Sequence, residues 1–377
     1  MAQLSNTITF TDEQAMLLDI ATNFFREKSS IPTVRRQIAS ESGIDRELWG
    51  EMAELGWPGI AVPERFGGSG LSLADVAAIV EPMGRHLAGT PFISTQLFTQ
   101  GLLAGGSEPQ QREVLPKICG GAIGTVALFE SDGDWNLEHI ESSAVIAGDA
   151  ARLSGAKTLV CDAAVADFVL VSVSLDGAPA LAMVKATDLP REHRTRETVI
   201  DETRRAFRLD LEGVGVPASS LMTGDKARAA LKAIRDAALL FASAEAAGGI
   251  AGALETTVEY LNTRSAFGRK IGSYQSLKHT CAEILVGLER ARSHVYHAAS
   301  LLAAGEDAEI ALRMAKVEAG DGFVFAGDRA VQFHGGFGFT YDCDAQLYLR
   351  RALWLQYAFG DAAHHRRKLA GLLLPAG

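Results

Sequence analysis

Apolar positions recur with a helical rhythm at both ends of this chain and with a strand rhythm in its middle. Leu17, Leu18, Ala21, Phe24 and Phe25 return at the three-and-four spacing of one helix face. Thr11, ahead of Asp12-Glu13-Gln14, supplies an N-cap hydroxyl and an acidic first turn. Further helices are predicted over 45–55, ended by Gly56, from Leu73 to about His86, across the nineties, and over 108–118. Between them, Gly56–Ser72 is too rich in Gly and Pro for regular structure. From about 122 to 220 the runs become short and rich in Val, Leu and Ala, and Ser172–Ser174 and Phe207–Leu211 alternate as half-buried strands do. Asp176-Gly177 between two such runs predicts a hairpin. Beyond Thr223 the helical spacing returns. Lys226–Asn262 contains no proline and would extend roughly 55 Å. Ser276–Ala304, Asp307–Gln332 and Asp361–Leu374 follow, and short connections between long helices imply antiparallel neighbours.

The pattern predicts an α+β multidomain chain. It would comprise an N-terminal all-α domain (1–120), a middle antiparallel β-barrel domain (121–222) and a C-terminal four-helix bundle domain (223–377). No βαβ alternation occurs, which disfavours a doubly wound dinucleotide fold. With 47% apolar residues the chain is not disordered. A net charge of −10 without a basic block argues against nucleic acid or an anionic membrane as partner. Cys119, Cys161, Cys281 and Cys343 are scattered and form no CxxC pair, so no metal site is expected and reduced cytoplasmic thiols are. The start, MAQLSNTITFTDEQ, lacks a basic-then-apolar leader, and no uninterrupted apolar run reaches membrane-spanning length, so a soluble, cytoplasmic protein is expected.

Two segments carry polar chemistry. TRSAFGRKIGSYQ, from Thr263 to Gln275, places three cations, an aromatic and two glycines between two long helices. A guanidinium can clamp a phosphate and a neighbouring ring can stack on a base, although a solvated interhelix loop reads the same way. QFHGGFGFT, from Gln332 to Thr340, could turn the backbone N–H groups of Gly335 and Gly336 toward a pyrophosphate, or could simply end a helix.

Taken together, RSAFGRKIGSYQSLKH and AVQFHGGFGFT resemble the acyl-CoA dehydrogenase family of flavoproteins. LWGEMAELGWPGIAVPERFGGSGLS, GSEPQQREVLPKICGG and LSGAKTLVCDAAVADFVLV resemble the same family, so the likeness runs from about Phe10 to Leu373. As a variant it resembles actinobacterial steroid and acyl-CoA dehydrogenases. The resemblance implies FAD-dependent dehydrogenation of an acyl-CoA to the 2,3-enoyl-CoA, with electrons passed to an acceptor of the electron-transfer flavoprotein type. It implies a homotetramer, or a heterotetramer with a related chain, in which FAD sits at a seam shared with a neighbouring subunit. Arg264, Phe267, Gln275, Gln332, Gly335 and Gly336 then contact the neighbour's FAD. Asp361, the rival acid, reads as the N-cap of the last helix and also as a neighbour of the flavin ring, and Asp236 falls at a position near the CoA moiety or is a helix-surface charge.

The chemistry requires a carboxylate to take the α-proton of the thioester while the β-hydride leaves for the flavin. At the two positions where the family carries that acid, this chain has Phe359 and Ala238. Glu245, seven residues beyond Ala238 and on nearly the same helix face, is the candidate base, set among Ala242, Gly248 and Gly249. Its alternative is an ion pair inside the bundle, for example with Arg292 or Arg313. The middle segment departs too: Phe129-Glu-Ser-Asp-Gly-Asp134 and Leu159-Val-Cys161 lack the family's flavin-facing Thr and Trp. A non-catalytic subunit that lends FAD contacts to a partner is therefore the alternative reading of the whole chain. His364 and His365 are expected at the surface.

Overall fold

The computed structural model describes residues 10–374. Residues 1–9 of the MAQLSNTITFTDEQ start lie outside them.

Helix α1 (Asp12–Lys28) starts as the caps require. Thr11 accepts from the Gln14 N–H at 3.2 Å while the Gln14 side chain accepts from the Thr11 N–H at 3.1 Å. It is followed by α2 (Ile31–Ala39), α3 (Arg46–Glu54), α4 (Leu73–Arg85), α5 (Phe92–Gly105) and α6 (Glu108–Cys119). α2 was not anticipated, because its nine residues carry a proline at the second position and no clear cap. The Gly- and Pro-rich stretch forms only short 3-10 turns at Trp57–Gly59 and Glu64–Phe66.

Ten strands follow: β1 (Gly124–Ala127), β2 (Ser143–Ala147), β3 (Ala150–Ser154), β4 (Ala156–Cys161), β5 (Phe168–Leu175), β6 (Ala178–Lys185), β7 (Arg194–Glu197), β8 (Ala206–Asp210), β9 (Gly215–Pro217) and β10 (Leu221–Met222). They do not form the antiparallel barrel expected. β10-β6-β5-β2-β3-β9 make one open mixed sheet, with β1 also on β5, and β4-β8-β7 a second. β1 and β2 both run parallel to β5, pairing Gly124–Ala127 with Phe168–Val171 and Ser143–Ala144 with Ser174–Leu175. The correction has a simple cause. Alternation tells which side chains face inward, but not which strand lies beside which. The Asp176-Gly177 hairpin does form: both residues have positive φ (50° and 79°) and Leu175 pairs with Ala178 across them.

The rest is helical: α7 (Asp225–Thr263), a two-residue ladder of β11 (Ser265–Ala266) and β12 (Arg269–Lys270), then α8 (Gln275–Ala303), α9 (Glu309–Phe333), α10 (Ala345–Tyr357) and α11 (Ala362–Leu373). Four of these helices lie within two residues of the expected spans, and α10 was unanticipated. The chain groups into two compact units that interleave in sequence. One holds the chain up to Arg36, Ser72–Ala88 and everything from Leu239; the other holds Gln37–Leu71 and Gly89–Ala238.

In the helical unit the close approaches run through glycine. A Cβ on Gly248 of α7 would lie 1.8 Å from the Glu81 carbonyl of α4, one on Gly84 of α4 2.0 Å from the Glu245 carbonyl, and one on Gly249 2.1 Å from the Phe323 ring of α9. α7 is long and apolar enough to cross a membrane by length and composition, although Glu245 interrupts its apolar run, and 89% of its most apolar window is buried inside the protein.

Candidate functional site at the ends of two long helices

At the C-terminal end of α7 the backbone turns sharply outward. The Arg264 N–H donates to the Tyr260 carbonyl at 2.9 Å, and the Ile271 N–H returns to the Arg264 carbonyl at 3.0 Å. Lys270 Nζ donates to the Thr263 carbonyl at 2.6 Å, closing the hairpin base. Its tip is Phe267-Gly268, both left-handed at φ 54° and 79°. A phenylalanine rarely adopts that region, and its ring gains nothing from packing: Phe267 is 95% exposed. Arg264, Arg269, Lys270 and Gln275 are exposed as well, and Gln275 opens α8.

At the C-terminal end of α9, Gln332 is exposed and the buried His334 donates from Nδ1 to the Ala330 carbonyl at 2.7 Å. Gly335 (φ 61°) and Gly336 enter a short turn, and a Cβ at either would meet open space. The rings of Tyr260 and His334 stack at 4.1 Å with 26° between planes. The structure thus brings together the segments containing Arg264 and Gln332–Gly336, 68 residues apart between Arg264 and Gln332. Exposed cations, two unencumbered glycines and outward aromatic rings form a donor set that suits a nucleotide diphosphate.

The other candidates lie elsewhere. Glu245 is 1% exposed and Arg351, on α10, is 0% exposed; the guanidinium donates to the carboxylate directly. The partners considered from sequence are used differently: Arg292 pairs with Glu81 at 2.8 Å and Arg313 with Glu309 at 2.7 Å. Asp236 is a buried carboxylate held by Lys232 at 2.6 Å and Arg235 at 3.0 Å, rather than a free surface charge. Asp361 caps α11 by accepting from the His364 N–H at 2.7 Å. Among the described residues, Asp132, Asp134 and His139 gather on an exposed stretch and carry no assignment.

Residues 11–122 match the acyl-CoA dehydrogenase N-terminal domain and residues 228–374 the acyl-CoA dehydrogenase C-terminal domain. An acyl-CoA dehydrogenase named IpdE2 from Mycolicibacterium smegmatis is 30% identical over 361 residues, covering 95% of this chain and 98% of its own. The chain belongs to the acyl-CoA dehydrogenase family. It is an oxidoreductase-family chain of the flavoprotein class that acts on acyl-CoA. Among solved structures, the ChsE4–ChsE5 complex of Mycobacterium tuberculosis superposes with a TM-score of 0.88 at 26% identity, covering 98% of this chain and 100% of that one. A variant of the Tcur3481–Tcur3483 steroid ACAD superposes at 0.85 and 29% identity, covering 96% and 98%.

Within this acyl-CoA dehydrogenase chain, the loop around Phe359 is firmly held although Phe359 itself carries no acid. Phe359 and Gly360 are left-handed at φ 56° and 113°. Lys316 of α9, 3% exposed, donates to the carbonyls of Leu355 (2.9 Å), Gln356 (3.1 Å) and Gly360 (3.0 Å). Burial brings its ammonium down to about 8, against the pull of Asp361 and Asp321. His365 is not at the surface as expected. It is 1% exposed and in contact with Arg313, and burial, with the Lys316 charge, takes it down to about 3. Sequence reasoning missed Lys316 and Arg351 as well. For Arg351 the only signal was a cation at helical spacing from Leu347, Tyr348, Trp354 and Leu355, and Lys316 shares its buried face with Arg313.

In the strand-bearing unit, Glu130 accepts from Lys157 at 2.7 Å and from the Glu141 and Ser142 N–H groups. Burial pushes its carboxyl up, but Lys157 and those N–H groups outweigh it and hold it at about 2. Glu197 of β7 accepts from the Thr158 hydroxyl at 2.5 Å and the Leu159 N–H at 2.7 Å. The Leu159–Cys161 segment is therefore tied to an acid of its own sheet.

Proposed function

We propose that this chain serves the FAD-dependent α,β-dehydrogenation of an acyl-CoA thioester to the 2,3-enoyl-CoA as one half of a heteromeric enzyme. It would lend its exposed segments to FAD held by a related chain, which would supply the α-proton base. The observation that carries this reading is the engagement of Glu245 by Arg351 in a solvent-free interior, in a chain with Phe359 and Ala238 at the family's base positions. The ChsE4–ChsE5 complex and the Tcur3481–Tcur3483 pair, each named for two chains, support it as neighbours.

FAD, when bound, supplies the acceptor for the β-hydride. Arg264, Gln332 and the N–H groups of Gly335 and Gly336 would hold its pyrophosphate, with Phe267 and Gln275 beside it. Asp361 would neighbour the flavin ring, and Asp236, with its paired cations, would sit near the CoA moiety. An electron-transfer flavoprotein-type acceptor would reoxidise the flavin, in the cytoplasm. A bulky acyl group of steroid type suits the likeness to the steroid ACAD. The family-model limits at 122 and 228 support domain boundaries near 120 and 223.

A second reading keeps Glu245 as this chain's own base, in a homotetramer. The small residues around Glu245 favour it, but Arg351 must then release the carboxylate. Expression decides between them. We expect colourless protein alone and yellow protein with a related chain. In that complex Glu245→Gln should still allow an acyl-CoA to bleach the flavin anaerobically. A chain that is yellow by itself, bleaches, and stops bleaching on Glu245→Gln would establish the second reading instead.

A further inference from the structure

We infer that the Tyr260–His334 stack is a positioning device that sets the spacing between Arg264 and the Gly335–Gly336 turn, so that both grip one diphosphate. This rests on the reading of that surface as a pyrophosphate site, and it adds residues that neither motif of the resemblance singles out.

The argument starts from how each segment is anchored. Arg264 lies one turn beyond Tyr260 and is bonded to the Tyr260 carbonyl through its backbone N–H. Any rotation at Tyr260 is passed to the first residue of the hairpin. Gly335 directly follows His334, whose ring is fixed from below by its Nδ1–H bond to Ala330. Beyond these anchors each segment is held within itself, the hairpin by the Ile271 N–H to the Arg264 carbonyl at 3.0 Å and Lys270 Nζ to the Thr263 carbonyl at 2.6 Å, the turn by the Gly338 N–H to the Gly335 carbonyl at 2.9 Å. Arg264, Gly335 and Gly336 are exposed, and the glycines have open space on their Cβ side. The hairpin itself pairs only two residues with two. Rings 4.1 Å apart with 26° between planes are therefore the contact that registers one segment against the other. A diphosphate has a fixed span between its two phosphorus atoms, so gripping it from both sides needs such a register.

The roles divide cleanly. Arg264 touches the anion; Tyr260 and His334 act only through their neighbours. The test uses the full chain in its complex with a related chain, freed of flavin, and ADP, which carries the adenosine–pyrophosphate half of FAD, by titration calorimetry. Amide hydrogen exchange of Ser265–Lys270 and Gly335–Gly338 is followed in parallel. Arg264→Ala should abolish ADP binding without changing exchange at 335–338. Tyr260→Leu should weaken ADP about tenfold and speed exchange in both segments, at a melting temperature close to the parent's. Tyr260→Phe, which keeps the ring, should restore both readouts. Should Arg264→Ala weaken ADP while Tyr260→Leu behaves as the parent, the stack has no positioning role and the inference falls, with the pyrophosphate reading intact. Parent protein that ignores ADP, or binds it equally well as Arg264→Ala, removes the pyrophosphate reading and the inference together. Failure of Tyr260→Phe to rescue would also overturn it, since the ring is then not what matters.

Discussion

Helix α7 carries two regions that the sequence places on one continuous element, and they are treated in opposite ways. Around Glu245, Gly248 and Gly249 the neighbours close to backbone contact, and the acid is consumed by Arg351. Nineteen residues on, about 28 Å along the axis, Arg264 and Phe267 turn outward with no packing role. The difference teaches where a family's chemistry has been kept in this chain. An interior carboxylate persists because it offsets the charge of a fully buried guanidinium. The exposed Arg264 side chain and a strained exposed phenylalanine bury no surface in this fold, and their presence points to another molecule.

The comparison can be broken first at its buried end. Replacing Glu245 with Ala, or Arg351 with Met, removes one member of a buried charge pair and should cost about 3–5 kcal/mol in urea denaturation, whereas the double replacement by apolar residues should recover most of it. Single variants as stable as the parent would show that the pair is not what holds that interior. Next comes Gly248→Ala, whose methyl meets the Glu81 carbonyl; we expect a loss of at least about 2 kcal/mol by the same measurement.

A smaller effect should appear as a pH dependence. His86 is taken down to about 4, by burial and then by Arg85, and His365 down to about 3. Both stay neutral when folded and take a proton when unfolded below their ordinary 6.5. Their contribution is complete above 6.5 and is lost as pH falls toward those folded values. Melting temperatures measured from pH 7.5 to 4 should decline, and less steeply in His365→Asn. At the exposed end the effect on folding should nearly vanish. Arg264→Ala and Phe267→Ala should each change stability by less than about 0.5 kcal/mol while the complex with a related chain loses its flavin on gel filtration. A large loss of stability in either would mean that the hairpin is structural after all.

Helices whose ends are marked chemically were legible. Thr11 with Gln14, Gly56, and the proline-free run after Thr223 set boundaries to within a residue or two, because caps and breakers act on the nearest turn. The hairpin at Asp176-Gly177 was legible for the same reason. The short α2 and α10 were not, since thirteen or fewer residues with weak caps leave little periodicity to read. At the candidate site, both exposed segments could be found from their residue types, because a surface that binds another molecule needs no partner from its own chain.

What the sequence determined by itself is therefore local and chemical: element identity, family, and the residues available to meet a cofactor. Only tertiary structure decided that β1 and β2 run parallel to β5, that Tyr260 meets His334, and that Glu245 meets Arg351 106 residues later. The reason is physical. Caps and periodicity depend on neighbours within a turn, whereas strand order, ring stacking and buried charge pairing depend on which distant surfaces exclude water together.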